Sequence, residues 1–155
     1  RTIGLFYGDF FSRPSKRSGA WMTSFRDQQK LDGEVIPFIV NTCNFNKPAE
    51  GEPALLSLDE ARTVFHEFGH GLHGLLSNVT YPRISGTSTV RDYVELPSQL
   101  YEHWLEQPEV LARFIHYKTG EPIPQALLDR MKAARNANVG FETVEVVSSA
   151  LLDMS

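Results

Sequence analysis

The feature that most constrains this chain is a run of apolar residues at helical spacing behind a helix-start signal. Ser57-Leu58-Asp59-Glu60 has the form of a capping box, in which serine and glutamate side chains bond to each other's backbone N–H groups. Apolar residues then recur three or four positions apart: Leu58, Ala61, Phe65, Phe68, Leu72 and Leu76. This pattern predicts an amphipathic helix over about residues 58–76.

The first third of the chain has the pattern of β-structure. Ile3 to Phe11 and Val35 to Thr42 are short runs rich in β-branched and aromatic residues, separated by a segment of turn composition at 13–19. We expect short antiparallel strands here. Because proline cannot donate to a ladder, Pro37 predicts a sheet edge for the second run. An exposed edge of this kind can pair with an extended peptide.

Helical patterns fill the rest of the chain. Thr89 to Asp92 resembles the cap of a helix running to about Leu105, which Pro97 would bend or break in its first turns. Three further segments show helical periodicity: Pro108 to Lys118, Pro124 to Arg135 and Phe141 to Met154. The predicted fold class is therefore α+β and mainly α, with strands and loops over 1–53 and helices over 54–155.

Composition excludes several classes of protein. With 155 residues, 41% hydrophobic and 22% charged, the chain is typical of a globular protein, and its net charge of −4 argues against a nucleic-acid partner. No apolar run approaches the roughly 18 residues of a membrane span. The single cysteine, Cys43, favours a cytoplasmic location, although a mature periplasmic protein would look the same. An opening at Arg1 and an end within a helical pattern suggest a piece of a longer protein.

The sharpest chemical signal is the motif His66-Glu67-Phe68-Gly69-His70. On a helix the two histidines lie about 40° apart and one turn along, so both imidazoles can bind one metal ion from the same side. Glu67 lies about 100° round from His66, a position suited to a general base beside metal-bound water. Histidines at this spacing favour zinc.

The third ligand is open from spacing alone. A third helical histidine at residue 76 is excluded, because Leu76 stands there. His73 falls on the ligand face but would crowd the ion, so packing or a contact to a ligand suits it better. A carboxylate from the following helix is the other solution, and we favour Glu95 because its neighbours are apolar. The candidates are Asp92, Glu95, Glu102 and Glu106.

These motifs resemble the M3 family of zinc peptidases. The resemblance rests on the run from Phe65 to His73 and on Val94-Glu95-Leu96-Pro97-Ser98-Gln99, with weaker similarity in the early strands. Ser85 to Asp92 and Tyr101-Glu102-His103-Trp104 look most like the peptidyl-dipeptidases of that family, which release dipeptides from peptide C-termini. The resemblance covers nearly the whole chain.

The resemblance implies one zinc ion per chain, held by His66, His70 and Glu95, with Glu67 as the catalytic base that activates zinc-bound water. It also implies a catalytic-core fragment of a larger, two-lobed helical peptidase that acts on short peptides. A substrate-binding segment with Gly, His and Tyr would lie beyond this chain. The alternatives are an endo-acting oligopeptidase of the same family and a non-catalytic zinc-binding fragment, which His73 as a fourth ligand would favour.

Several secondary roles remain predictions. Asp92, Glu102 and His73 could contact and orient the ligands. The C-terminal carboxylate of a substrate needs a cation, for which Arg13, Lys16, Arg17, Arg83 and Arg91 are available. Apolar positions Val144, Val147 and Leu151 could mediate self-association. Cys43 is expected to be a small buried strand residue.

Overall fold

The computed structural model describes residues 1–135 and 137–155. Its contacts divide the chain into two compact units, Arg1–Val110 and Leu111–Ser155. The strands and the candidate site all lie in the first unit. Among the described residues, no helix combines the length and apolar character needed to cross a membrane.

The first unit contains a three-stranded sheet formed by β1 (Leu5–Phe11), β2 (Trp21–Arg26) and β3 (Phe38–Phe45). Its order is β1-β3-β2, with β2 antiparallel and β1 parallel to β3. The expectation of antiparallel strands is therefore wrong for β1 and β3. The physical reason is β2, a strand not predicted from the sequence: it reverses the chain, so β3 returns in the direction of β1.

The edge position predicted for the second apolar run is also wrong, because β3 is the central strand. Pro37 lies one residue before β3 and needs no donor of its own there. Its carbonyl instead accepts a hydrogen bond from the backbone N–H of Leu5 at 2.9 Å. The proline thus lies just before β3, and the edges of the sheet are β1 and β2.

The helix α1 (Leu58–Leu75) confirms the strongest prediction from the sequence. Its capping box is complete: the Glu60 backbone N–H donates to Ser57 Oγ at 3.1 Å, and the Ser57 N–H donates to Glu60 Oε2 at 2.8 Å. The helix packs on one face of the sheet, where the side chains of Ile39 and Cys43 are buried. Phe6 and Phe68 meet edge to face, with ring centroids 5.3 Å apart.

The next helix starts later than predicted. A short 3-10 helix at Pro82–Ile84 is followed by turns, and α2 spans Leu96–Leu105 rather than beginning at Thr89. Pro97 accounts for the difference: its missing N–H and fixed φ are tolerated in the first turn of a helix and disfavoured further in. Glu95 occupies the N-cap position of α2, without a side-chain capping hydrogen bond.

Beyond α2, one of three predicted helices is shorter than expected. The helix α3 covers only Pro108–Leu111, and the Pro108 to Lys118 prediction fails after that point. The chain there forms a tight turn, in which the His116 N–H donates to the Glu121 carbonyl and Gly120 has φ +72°. In the second unit, α4 (Gln125–Arg135) and α5 (Val139–Asp153) confirm the last two predictions.

Candidate metal centre

The helix α1 brings two imidazoles together because they are separated by one turn. His66 and His70 have ring centroids 4.9 Å apart and ring planes 82° apart. Their side chains are 26% and 12% exposed, so they lie at the surface of the helix that borders a cleft. The cleft has a volume of about 370 Å³, and Trp21, Glu67 and Thr87 also line it.

Glu95 brings a carboxylate to the same point from the start of α2. Its Oε2 lies 3.2 Å from His66 Nε2 and 3.1 Å from His70 Nε2. Ligand atoms around a tetrahedral zinc lie roughly 3.3–3.6 Å apart, given bonds of roughly 2.0–2.2 Å. In the described ranges, His66, His70 and Glu95 form the group whose ligand atoms lie within 4.8 Å of one another. Two imidazoles and one carboxylate are a donor set that suits zinc and leaves a coordination position open.

Close packing of the two helices sets this distance. A Cβ atom on Gly69 would lie 2.6 Å from the Cα of Ser98 and 2.7 Å from the Pro97 carbonyl oxygen. Glycine is therefore required at residue 69 for α2 to approach α1. Gly74 has a related role against the sheet, since a Cβ there would lie 2.6 Å from Ile39 Cδ1. The backbone contact explains the glycine at residue 69 despite its cost of about 1 kcal/mol, whereas at residue 74 the neighbouring atom is the movable end of a side chain.

A carboxylate contacts the far side of the first histidine. Glu102 Oε1 lies 2.6 Å from His66 Nδ1, which leaves His66 Nε2 directed at Glu95. Arg62, one turn before His66, has its Nε 4.0 Å from Glu102 Oε2 and an Nη 3.3 Å from Glu106 Oε1. Arg62 thus places a positive charge near Glu102 and Glu106.

Glu67 is the buried acid of the site. Glu67 is only 6% exposed. Within the part of the chain that the structure describes, its Oε2 has no hydrogen-bond partner. Burial raises the pKa of Glu67 above its ordinary value, and the charge of Glu95 adds to this while that of His66 opposes it. A carboxyl group with a raised pKa, open to the cleft, is suited to accept a proton near neutral pH.

The neighbouring groups have protonation states that suit metal binding. Burial lowers the pKa of His70, which favours its neutral imidazole. Burial alone would raise the pKa of Glu95, but the Ser98 hydrogen bond and the two histidines outweigh it and hold this pKa below its usual range. A neutral imidazole and an ionised carboxylate are the forms that bind metals.

The sequence model of Peptidase family M3 matches residues 1–155. The chain belongs to peptidase family M3. This M3 chain is 52% identical to Dipeptidyl carboxypeptidase of Escherichia coli (strain K12), over 98% of the chain and 22% of the relative. It is 48% identical to Oligopeptidase A of the same organism, over 97% of the chain and 23% of the relative. Thimet-like oligopeptidase of Dictyostelium discoideum is 40% identical, over 99% of the chain and 24% of the relative. The chain thus spans about a quarter of the length of these relatives.

Two further residues predicted for the M3 site lie apart from its three converging ligand atoms. His73 packs its ring against Tyr93, with centroids 6.1 Å apart, and is not in the cluster found among the described residues. Asp92 is exposed in the turns before α2, and no hydrogen bond or ion pair joins it to a ligand in the described chain.

The candidate cations have several different environments. Arg13 pairs with Asp9 at 2.8 Å, and the buried Lys16 ammonium contacts backbone carbonyls of Asp9 and Phe11. Arg17 lies 5.1 Å from the ring centre of Trp21. Arg83 and Arg91 are exposed.

Cys43 is buried as expected, and burial raises the pKa of its thiol to about 11.

Sequence reasoning missed Ser98 and Arg62, which contact Glu95 and Glu102 respectively. A signal existed for each of them. Ser98 is three residues after Glu95 at a helix start, and Arg62 is four residues before His66 on one helix face.

Proposed function

We propose that this M3 chain carries the metal-binding part of a zinc-dependent peptidase. In this proposal His66, His70 and Glu95 bind one zinc ion, and Glu67 is the catalytic base. The observation that carries the proposal is the convergence of three ligand atoms beside the buried, unpartnered carboxylate of Glu67. The residues fit the metal in number, in donor type and in spacing.

The chemistry divides between the metal and the chain. A zinc ion at this position would lower the pKa of a bound water to about 7 and polarise the scissile carbonyl. Glu67 accepts the proton of the attacking water and then donates it to the nitrogen of the leaving amine. Its raised pKa makes the first transfer easier than it would be for an exposed glutamate, because a carboxylate of higher pKa is the stronger base.

Glu102 is proposed to orient His66. A carboxylate that accepts from Nδ1 fixes the imidazole tautomer, so that the other nitrogen is free to bind the metal. Arg62 supports this arrangement because its guanidinium places a positive charge 4.0 Å from the second oxygen of Glu102. His73 and Asp92 have no such contact with the ligands in the described residues, and we propose no role for them in binding.

The substrate backbone is proposed to lie along β2. Backbone addition to β3 is not available, because β3 is paired on both sides. Ala20, Trp21 and Met22 line the same cleft as His66 and Glu95, and β2 is an edge of the described sheet. An extended peptide on this edge would form main-chain hydrogen bonds whatever its side chains, which suits an enzyme for varied short peptides.

We further propose release of C-terminal dipeptides, since a relative named Dipeptidyl carboxypeptidase shares 52% identity. An endo-acting oligopeptidase is the second candidate, because Oligopeptidase A shares 48% identity. The two differ in whether the substrate needs a free C-terminal carboxylate. Short peptides are the proposed substrates in both cases, and a cytoplasmic location stays a prediction from the single cysteine.

The test uses one peptide with a free and with an amidated C-terminus, analysed by mass spectrometry. Wild type is expected to release dipeptides from the free form only. Glu67→Gln is expected to bind the same amount of zinc and to hydrolyse neither peptide. Internal cleavage of the amidated form would favour the oligopeptidase, and undiminished hydrolysis by Glu67→Gln would overturn the assignment of the base. Zinc binding without hydrolysis by wild type would favour a non-catalytic fragment.

A further inference from the structure

Ser98 is the most deeply buried polar residue near the candidate metal centre. It has no exposed surface, although its side chain ends in a hydroxyl group. Its Oγ lies 2.9 Å from the backbone carbonyl oxygen of Glu95 and 2.9 Å from Glu95 Oε2. The single hydroxyl hydrogen can be donated to either of these oxygens, and Ser98 itself is closed to solvent.

The oxygen that Ser98 contacts is the one that faces both histidines. Glu95 Oε2 lies within 3.2 Å of His66 Nε2 and of His70 Nε2. A carboxylate oxygen has more than one lone-pair direction, so it can accept from a hydroxyl and still bind a metal. The oxygen that contacts Ser98 is thus the same one that points between the imidazoles.

Glu95 has little else to hold it. Its side chain is 49% exposed, unlike the histidines on the buried face of α1. In the part of the chain that the structure describes, its side-chain hydrogen bonds and ion pairs are those with Ser98, His66 and His70. Without Ser98, the carboxylate would sample several rotamers and would lose freedom on binding a metal.

The backbone of Ser98 is itself fixed by α1. Its Cα lies against Gly69, where a Cβ atom would come within 2.6 Å. Gly69 lies between the two histidines in the sequence, next to His70. Ser98 therefore holds Glu95 from a point whose position relative to both histidines is set by backbone packing.

From these contacts we propose that Ser98 is a positioning residue for the metal centre, which orients the Glu95 carboxylate for binding. This inference rests on the proposed zinc site. It predicts that removal of the hydroxyl weakens metal binding through Glu95, with the fold unchanged. Loss of a group that orients a ligand typically costs 10–100-fold in metal affinity.

The experiment measures zinc affinity by competition with a chelator. Ser98→Ala is expected to bind zinc at least about tenfold more weakly than wild type. The control is Ser85→Ala, another buried serine, whose hydroxyl donates to Ser77 rather than to a ligand. It should bind zinc as wild type does. Tryptophan fluorescence of the metal-free variants during urea unfolding checks that each is folded.

A double-mutant cycle separates positioning from a general structural effect. If Ser98 acts through Glu95, Ser98→Ala should cause no further loss of the weak zinc affinity that the two imidazoles keep in a Glu95→Ala background, measured by titration with added zinc. If Ser98→Ala alone does not fold, Ser98→Gly supplies the same comparison, because it also removes the hydroxyl and, unlike cysteine, adds no zinc-binding atom. It is expected to bind zinc more weakly than wild type.

Two results would overturn the inference while leaving the zinc site intact. One is unchanged affinity in folded Ser98→Ala, and the other is an equal loss with and without Glu95. Absence of zinc binding by wild type would instead overturn the proposed function, and this inference with it.

Discussion

Replacement of Gly69 by alanine tests whether close packing of α1 and α2 determines the site. The added Cβ would lie 2.6 Å from Ser98 Cα and 2.7 Å from the Pro97 carbonyl oxygen. Both are backbone atoms, so no side-chain rotation can relieve the overlap. One helix must move by several tenths of an ångström, and overpacking of this kind costs about 1–3 kcal/mol.

Gly71 supplies a matched control in the same helix. A Cβ atom there would lie 3.4 Å from Asn41 Oδ1 and 3.5 Å from a Phe6 ring carbon, which are ordinary contacts. Both substitutions gain about 1 kcal/mol in helix propensity. This gain cancels in the comparison, so Gly69→Ala should be less stable than Gly71→Ala by about 1–3 kcal/mol, the overpacking cost alone.

Urea unfolding followed by tryptophan fluorescence measures this difference. The only two tryptophans, Trp21 and Trp104, both lie in the first compact unit, so the signal reports on that unit. We also expect Gly69→Ala to bind zinc more weakly, because displacement of α2 moves Glu95. Equal stability of the two variants would refute the packing argument.

Three further predictions concern other parts of the first unit. Ser57→Ala removes half of the capping box and should destabilise the unit by about 1 kcal/mol in the same urea assay, whereas no change would contradict the cap. Glu102→Gln should weaken zinc affinity about 10–100-fold, since an amide holds the His66 tautomer less firmly; unchanged affinity would argue against the contact. Burial raises the pKa of Cys43 to about 11, so a thiol reagent at pH 8 should react slowly with folded protein and rapidly in urea. Because the thiol then ionises first in the unfolded chain, stability should fall as the pH rises from about 9 to about 11.

Local patterns predicted the parts of the fold that depend on local contacts. The bounds of α1, its capping box and the one-turn spacing of His66 and His70 all follow from hydrogen bonds and side chains within one helix. Glu95 could be preferred among four carboxylates because it lies between apolar neighbours. That the structure brings it within 3.2 Å of both imidazoles agrees with that preference.

Pairing between distant segments was not predicted in the same way. The central position of β3 depends on β2, whose six residues mix polar and apolar types and gave no clear strand signal. Pro37 suggested an edge because proline cannot donate to a ladder. In the structure Pro37 lies just before β3 and outside the ladder, and only tertiary structure determines that position. The start of α2 was misplaced for a similar reason, since two helix-start signals, Thr89 and Pro97, compete within ten residues.

The contacts of Ser98 and Arg62 show another limit. Each acts on a side chain that itself contacts a histidine, so its role depends on two successive distances in space. Sequence spacing placed Ser98 near Glu95 and Arg62 near His66, but it could not show that Arg62 lies beside Glu102 or which rotamer brings Ser98 to Glu95.

The most direct test of the central claim is zinc content per chain after dialysis against a weak chelator. Purified wild type should retain one zinc, and Glu67→Gln should retain the same amount, because Glu67 is not a proposed ligand. Glu95→Ala should lose the metal, since two imidazoles alone bind weakly. Wild type without zinc, or Glu95→Ala with wild-type zinc content, would contradict the site described by His66, His70 and Glu95.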